Sequence, residues 1–337
     1  FALAAIVVVA PLAIAADTLV VANKSGNSVD LVDPATGKSR ATLETGHRPH
    51  EVAVSPDGSV AVISNYGDRD NPGSSLTLVY LGAGKVAGTI DLGENRRPHG
   101  LAWLEGSEVA VTTEGSKRLL IVDVVMGAVV SEIETAQEVS HMVAVSRDRK
   151  RAFVANIGSG SVTVIDLATG RKLRDVETGE GAEGIAMSPD GKELWVGNRE
   201  SDTLSIVDPE TLEVRATVAC AGFPIRVAFT PDGARVLVSA AKSGEVVLID
   251  VKTRKEIARR KLDLANAPDA AKRLFGDRFG ESPVPVGIVI APDGKRAWVA
   301  ATQADMVVVV DTKTLEVKDL VRAGKEPDGM AFSGGAR

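Results

Sequence analysis

One phrase recurs along this chain at intervals of about 42 residues, and a repeat of that length constrains the fold more than any single motif could. Ala182-Glu183-Gly184-Ile185-Ala186-Met187-Ser188-Pro189-Asp190-Gly191 and Pro49-His50-Glu51-Val52-Ala53-Val54-Ser55-Pro56-Asp57-Gly58 are two copies of it. Further copies carry Thr230-Pro231-Asp232-Gly233 and Ala291-Pro292-Asp293-Gly294, with degraded versions at 104–107 and 146–149. Proline presets φ at the first central turn position, aspartate bonds locally and glycine accepts positive φ, so each copy contains a tight turn. Between the turns apolar residues alternate, as in Ser161-Val162-Thr163-Val164-Ile165-Asp166, which is the period of a strand and not of a helix.

Each copy holds four short strands: one before the Pro-Asp-Gly turn, one after it (151–156), one ending in aspartate (162–166) and one before the next glycine (172–177). Seven antiparallel four-stranded units at this period predict an all-β, seven-bladed β-propeller over residues 17–337. The chain opens on the second strand of a blade (18–23) and ends on a lone first strand (329–333), so pairing the two closes the ring and removes its open edges. The Val-Ala-Asn endings at Asn23 and Asn156, the strand at 161–166 and the Ser-Pro-Asp-Gly turns resemble the YVTN-type β-propeller repeat family, itself similar to WD40 propellers in shape. That resemblance implies the fold. Its members include binding proteins, lactonases, a lyase, accessory proteins and surface-layer components, so it does not select an activity.

Residues 1–16 form an apolar run ending in Ala13-Ile14-Ala15, the small-x-small pattern of a signal-peptidase site. A truncated signal peptide is expected there, and with it a periplasmic or secreted monomer with no membrane span after cleavage. A net charge of -6 argues against a nucleic-acid partner. The single cysteine, Cys220, rules out a disulfide framework or a multi-cysteine metal site. Trp195 and Trp298 share a strand position with Phe153 and are expected in the core, and the aspartates 33, 123, 166, 208, 250 and 311 are expected to bond turn amides.

Function concentrates on one face. Two departures from the period, at 66–74 and 263–282, both fall in loops that emerge beside the innermost strands, and the second contains a stretch, 268–275, suited to a short helix over the channel mouth. On that face the position leading into the innermost strands reads Asp328, His50, His99, His141, Glu183, Ile225 and Val286 around the ring. Three of the four histidines thus share one repeat phase. His50, His99 and His141, with Glu183 and Asp328, suit one transition-metal ion (Zn, Cu, Fe or Mn). A ring of titrating imidazoles or direct ligand binding is equally compatible with the same residues.

Arg48, Arg96, Arg97, Arg199 and Arg226 lie near the mouth in the same register and would favour a small anionic ligand; a protein partner on this face is the alternative. No phosphate-binding glycine loop is present, so no nucleotide is expected, and without Cys-x-x-Cys-His no haem is expected. Three functions remain open: a binding or accessory propeller, a metal-dependent hydrolase (lactonase-like) or lyase with Glu183 as general base, and a purely structural interaction module.

Overall fold

The computed structural model describes residues 17–273 and 275–334. The expected signal peptide lies outside the described residues. Among the described residues, twenty-eight strands form seven four-stranded antiparallel sheets, with a single 3-10 turn at Ala270–Lys272.

The fourth blade shows how the repeat becomes structure. Its strands are Ser140–Val145, Arg151–Asn156, Ser161–Asp166 and Arg171–Glu177, in that order from the axis outward. The second and third strands are buried almost throughout, because neighbouring blades cover both their faces. The outermost strand is largely exposed, which is why the charges of each copy gather there. Between this blade and the next, Phe153, Val162, Val164, Ile185, Leu194 and Val196 form one shared cluster. Each such side chain contributes about 1.5–3 kcal/mol on burial, and the same packing recurs around the ring. Trp195 and Trp298 lie in this inter-blade core, as expected.

Closure follows the expected route. Thr18–Asn23 pairs antiparallel with Pro327–Ser333, setting Leu19 opposite Phe332 and Val21 opposite Met330. The tight turns also behave as read. Ser55 Oγ accepts the backbone N–H groups of Ser59 and Val60, while Gly58 takes φ 72°; Ser188 and Gly191 repeat the arrangement. Asp33, Asp123, Asp166, Asp208, Asp250 and Asp311 each accept one or two turn amides.

The two insertions differ in kind. The first lengthens a hairpin, with Val60–Gly67 and Pro72–Tyr80 paired as far as Gly67 and Pro72. The second is not the helix expected over 268–275. Helical structure stops after Lys272, and Arg273 is extended. Its guanidinium is drawn to Asp269, to Asp305 at 2.6 and 2.8 Å and to the Thr302 carbonyl at 2.7 Å, anchoring the segment to the seventh blade in place of a second helical turn.

Candidate functional site at the channel mouth

The seven positions singled out in the repeat form a ring. Each is the second residue of an innermost strand: His50 in Pro49–Val54, His99 in Pro98–Trp103, His141 in Ser140–Val145, Glu183 in Ala182–Met187, Ile225 in Pro224–Phe229, Val286 in Pro285–Ile290 and Asp328 in Pro327–Ser333. In every blade the pairing with the second strand slips by one residue at this point. Such a bulge re-aims a side chain, here into the channel. Two residues earlier the backbone is left-handed in all seven blades, at Arg48, Arg97, Val139, Gly181, Phe223, Val284 and Glu326. Six of these are not glycine, a conformation that costs about 1–2 kcal/mol each.

A second ring holds that conformation in place. At the end of each second strand stands Lys24, Tyr66 (still within the lengthened strand Val60–Gly67), Glu114, Ile157, Arg199, Ala241 or Thr302, and its N–H donates to the carbonyl of the left-handed residue at 2.9 to 3.2 Å. Asn23, Asn65, Asn156 and Asn198 precede this position in four blades, their amides bonded to serine or threonine on the third strand. All seven residues of the first ring, with Lys24, Tyr66, Glu114, Ile157 and Arg199 of the second, line a cavity of about 250 Å³.

Acids and bases pair across the two rings. Lys24 Nζ lies 2.9 Å from Asp328 and 3.6 Å from Glu326, all buried. Arg199 donates to Glu183 at 2.5 Å. Arg226, buried beside the first ring, donates to Glu183 at 3.2 Å and reaches across the channel to Glu51. Burial opposes charge on Glu183, but Arg199, then His141 and Arg226, outweigh it and hold its carboxyl well below the usual range. A carboxylate so stabilised is a weak general base. Burial likewise opposes charge on Asp328, and Lys24 leads the groups that lower its pKa.

The histidines occupy the other arc. His50 stacks on Tyr66 with centroids 4.2 Å apart, His99 stands edge-on to both, and His141 lies against His99 at 3.6 Å. His50 Nδ1 is 2.9 Å from the Arg48 carbonyl, which assigns the proton to Nδ1 and leaves the Nε2 lone pair free. Burial, reinforced by Lys24, pulls its pKa down to about 3, so the ring is neutral. Burial also holds His99 well below its ordinary value, with His141 and His50 adding to the effect. His141 goes the other way: burial opposes its charge, but hydrogen bonding to Glu114 and the approach of Glu183 raise its pKa.

Glu114 was not legible as a site residue, yet it joins three blades. It accepts from Tyr66 Oη at 2.5 Å and from His141 Nδ1, and shares its own blade with His99. His99 Nδ1 is buried without a hydrogen-bond partner, and His141 Nε2 stands 3.3 Å from the Glu183 carboxylate. Leaving a buried nitrogen such as His99 Nδ1 unpaired costs about 1–3 kcal/mol.

The five arginines divide. Arg199 and Arg226 line the cavity. Arg48 turns to Ser25 and Glu326, Arg97 lies over the Tyr66 ring at 5.7 Å, and Arg96 pairs with Glu94 outside it. Arg278, on the 263–282 segment, lines the cavity with Phe275. Phe275 and Phe279 pack with Phe223, Ile225 and Val286, which explains the two apolar places in the first ring: they seat the segment that covers the mouth. Cys220 lies in the core away from the cavity, its thiol pushed up to about 12 by burial.

Fold and site together define a seven-bladed propeller with a covered, polar and imidazole-lined site at one mouth of its channel. The family model described as the cytochrome D1 heme domain matches residues 106–279, and the chain belongs to that family. Among solved structures it is similar to Kuenenia stuttgartiensis hydrazine synthase, at 21% identity and TM-score 0.69 over 83% of this chain and 88% of that one. It is also similar to a protein of unknown function from Desulfotomaculum acetoxidans DSM 771, at 14% identity and TM-score 0.78 over 95% of this chain and 99% of the other. At these identities the two structures share the fold. No curated protein matches the chain.

The family match corrects one expectation. Haem was excluded because Cys-x-x-Cys-His is missing, but that motif serves only covalent c-type attachment. Haem iron is also held by histidine alone, and a single axial histidine leaves no short motif in a sequence. Of the resemblance drawn from the repeats, the β-propeller stands.

Proposed function

We propose that the chain is a binding or accessory propeller that holds an iron tetrapyrrole of the haem class at the histidine-bearing mouth, with His50 as the iron ligand. The observation that carries this is the setting of His50: a buried, neutral imidazole whose Nδ1–H is fixed on a backbone carbonyl and whose Nε2 is left as a donor. A hydrogen bond from the far ring nitrogen to a backbone carbonyl is the usual support of a metal-bound histidine. The remaining lining suits the rest of the group. Arg278 offers a guanidinium group to its carboxylates and Phe275 a flat apolar face, with Arg199 beside them on Glu183. The same two arginines support a small anion as a further ligand. Bound there, the tetrapyrrole would supply a redox-active iron centre.

The cavity of about 250 Å³ is smaller than the roughly 300–1,000 Å³ of ligand pockets, so a whole macrocycle is admitted only when the 263–282 segment moves aside. The strand endings and turns support reading the chain as a YVTN-like variant of its family. The apolar run at 1–16 supports a place outside the cytoplasm, and no helix among the described residues is long and apolar enough to cross a membrane.

Titration of the tetrapyrrole-free chain with ferric haem tests the proposal. Saturation at one equivalent with a shifted Soret band is expected. A signal that rises without saturation, as free haem gives, would count against it.

A further inference from the structure

We infer that His99, Glu114 and His141 form a second site at the mouth, for one divalent transition-metal ion, distinct from the place of His50. The inference does not depend on the tetrapyrrole. Each of the three residues offers a ligand atom, and these atoms lie within 4.8 Å of one another. Side-chain rotation is enough to bring donors so placed to the roughly 2.0–2.2 Å bonds of a transition metal.

Two further observations select these three residues. His99 Nδ1 is buried and unpartnered. A hydrogen bond from His141 to Glu114, serving structure alone, would use His141 Nδ1 and leave the buried nitrogen of His99 without a purpose. The carboxylates, moreover, are not equivalent. Glu183 is held by Arg199 and Arg226 and Asp328 by Lys24, whereas Glu114 has no lysine or arginine ion pair among the described residues. Only Glu114 can turn its charge to an ion without abandoning a buried lysine or arginine. Two imidazoles and one carboxylate, with positions left open, suit Fe²⁺, Zn²⁺ or Co²⁺.

The test uses Co²⁺ alone, added to the full chain after chelator treatment and without any tetrapyrrole. One equivalent should bind, with visible absorption typical of nitrogen and oxygen ligands, and X-ray absorption should show two imidazoles in the shell. His99→Ala and Glu114→Gln, each checked for an unchanged circular dichroism spectrum, should weaken binding by at least about 100-fold. His50→Ala separates the two sites: Co²⁺ should still bind at one equivalent. Failure of the wild-type chain to saturate overturns the site and leaves the tetrapyrrole proposal standing. Unchanged affinity in Glu114→Gln, or lost binding in His50→Ala, overturns the ligand set. Should His99→Ala fail to fold, Glu114→Gln and the wild-type absorption spectrum decide.

Discussion

Lys24 and Asp328 stand 304 residues apart in the chain and 2.9 Å apart in the fold. One follows the second strand of the first blade, the other begins its innermost strand, and that blade is assembled from both ends of the chain. Their ion pair therefore reports ring closure and shapes the mouth in one contact.

Replacing Lys24 tests that contact. Lys24→Met leaves Asp328 buried without its cation, and the loss of one partner from such a pair costs about 3–5 kcal/mol. Chemical denaturation should show a loss of that size, with part of it recovered in Lys24→Met/Asp328→Asn. A loss below about 1 kcal/mol would mean that the pair is solvated and unimportant to closure.

The innermost strands converge tightly on the axis, and glycine permits it. A Cβ at Gly287 would stand 2.2 Å from the Asp328 carbonyl, whereas one at Gly88, on an outer strand, would meet nothing within 4 Å. Gly287→Ala should destabilise by at least about 1–3 kcal/mol. Gly88→Ala should be neutral or stabilise by up to about 1 kcal/mol. Equal melting temperatures for the two variants would contradict the packing described.

Cys220 predicts a pH dependence. Burial is the main cause of its raised pKa, Glu256 and Asp202 add to it, and Arg259 opposes them. The unfolded thiol ionises near pH 9, while the folded one keeps its proton until about 12. Between those values the native state binds the extra proton, so this contribution to stability is complete below pH 9 and declines as pH rises. The wild type should lose about 1.4 kcal/mol per pH unit across that window relative to Cys220→Ala. Parallel stability profiles for the two chains would show that the thiol ionises freely.

The covering segment hangs on Arg273, which bonds Asp269, Asp305 and the Thr302 carbonyl from a buried position. Arg273→Ala should free it. Tryptic cleavage at Arg278 should accelerate at least about tenfold while the propeller still melts cooperatively. Unchanged cleavage would place the anchor elsewhere, with the apolar contacts of Phe275 and Phe279 the next to examine.

Much of this could be read from the repeat, and the limits follow its phase. The first ring was legible because position, not residue type, defines it: His50, Glu183 and Ile225 share one place in three copies of the phrase. The second ring obeys the same rule, one residue beyond Asn23, Asn65, Asn156 and Asn198, but Lys24, Tyr66, Glu114 and Arg199 share no chemistry that would draw attention to it. Phase alone would have found Glu114. Arg226 was placed near the mouth correctly, but its partner Glu51 is 175 residues away and belongs to a blade across the channel, a pairing no local pattern encodes. The 268–275 stretch has helical composition, yet Arg273 gains more from two carboxylates than from a further turn. His50 was legible as a candidate metal ligand, but haem was not, because a lone axial histidine leaves no short motif to detect.

The most direct test of the central claim is replacement of the proposed iron ligand by a hole. His50→Gly, loaded with ferric haem, should lose the shifted Soret band of the wild type, and exogenous imidazole should restore it by occupying the vacated space. A variant that keeps the wild-type spectrum without imidazole would contradict ligation by His50.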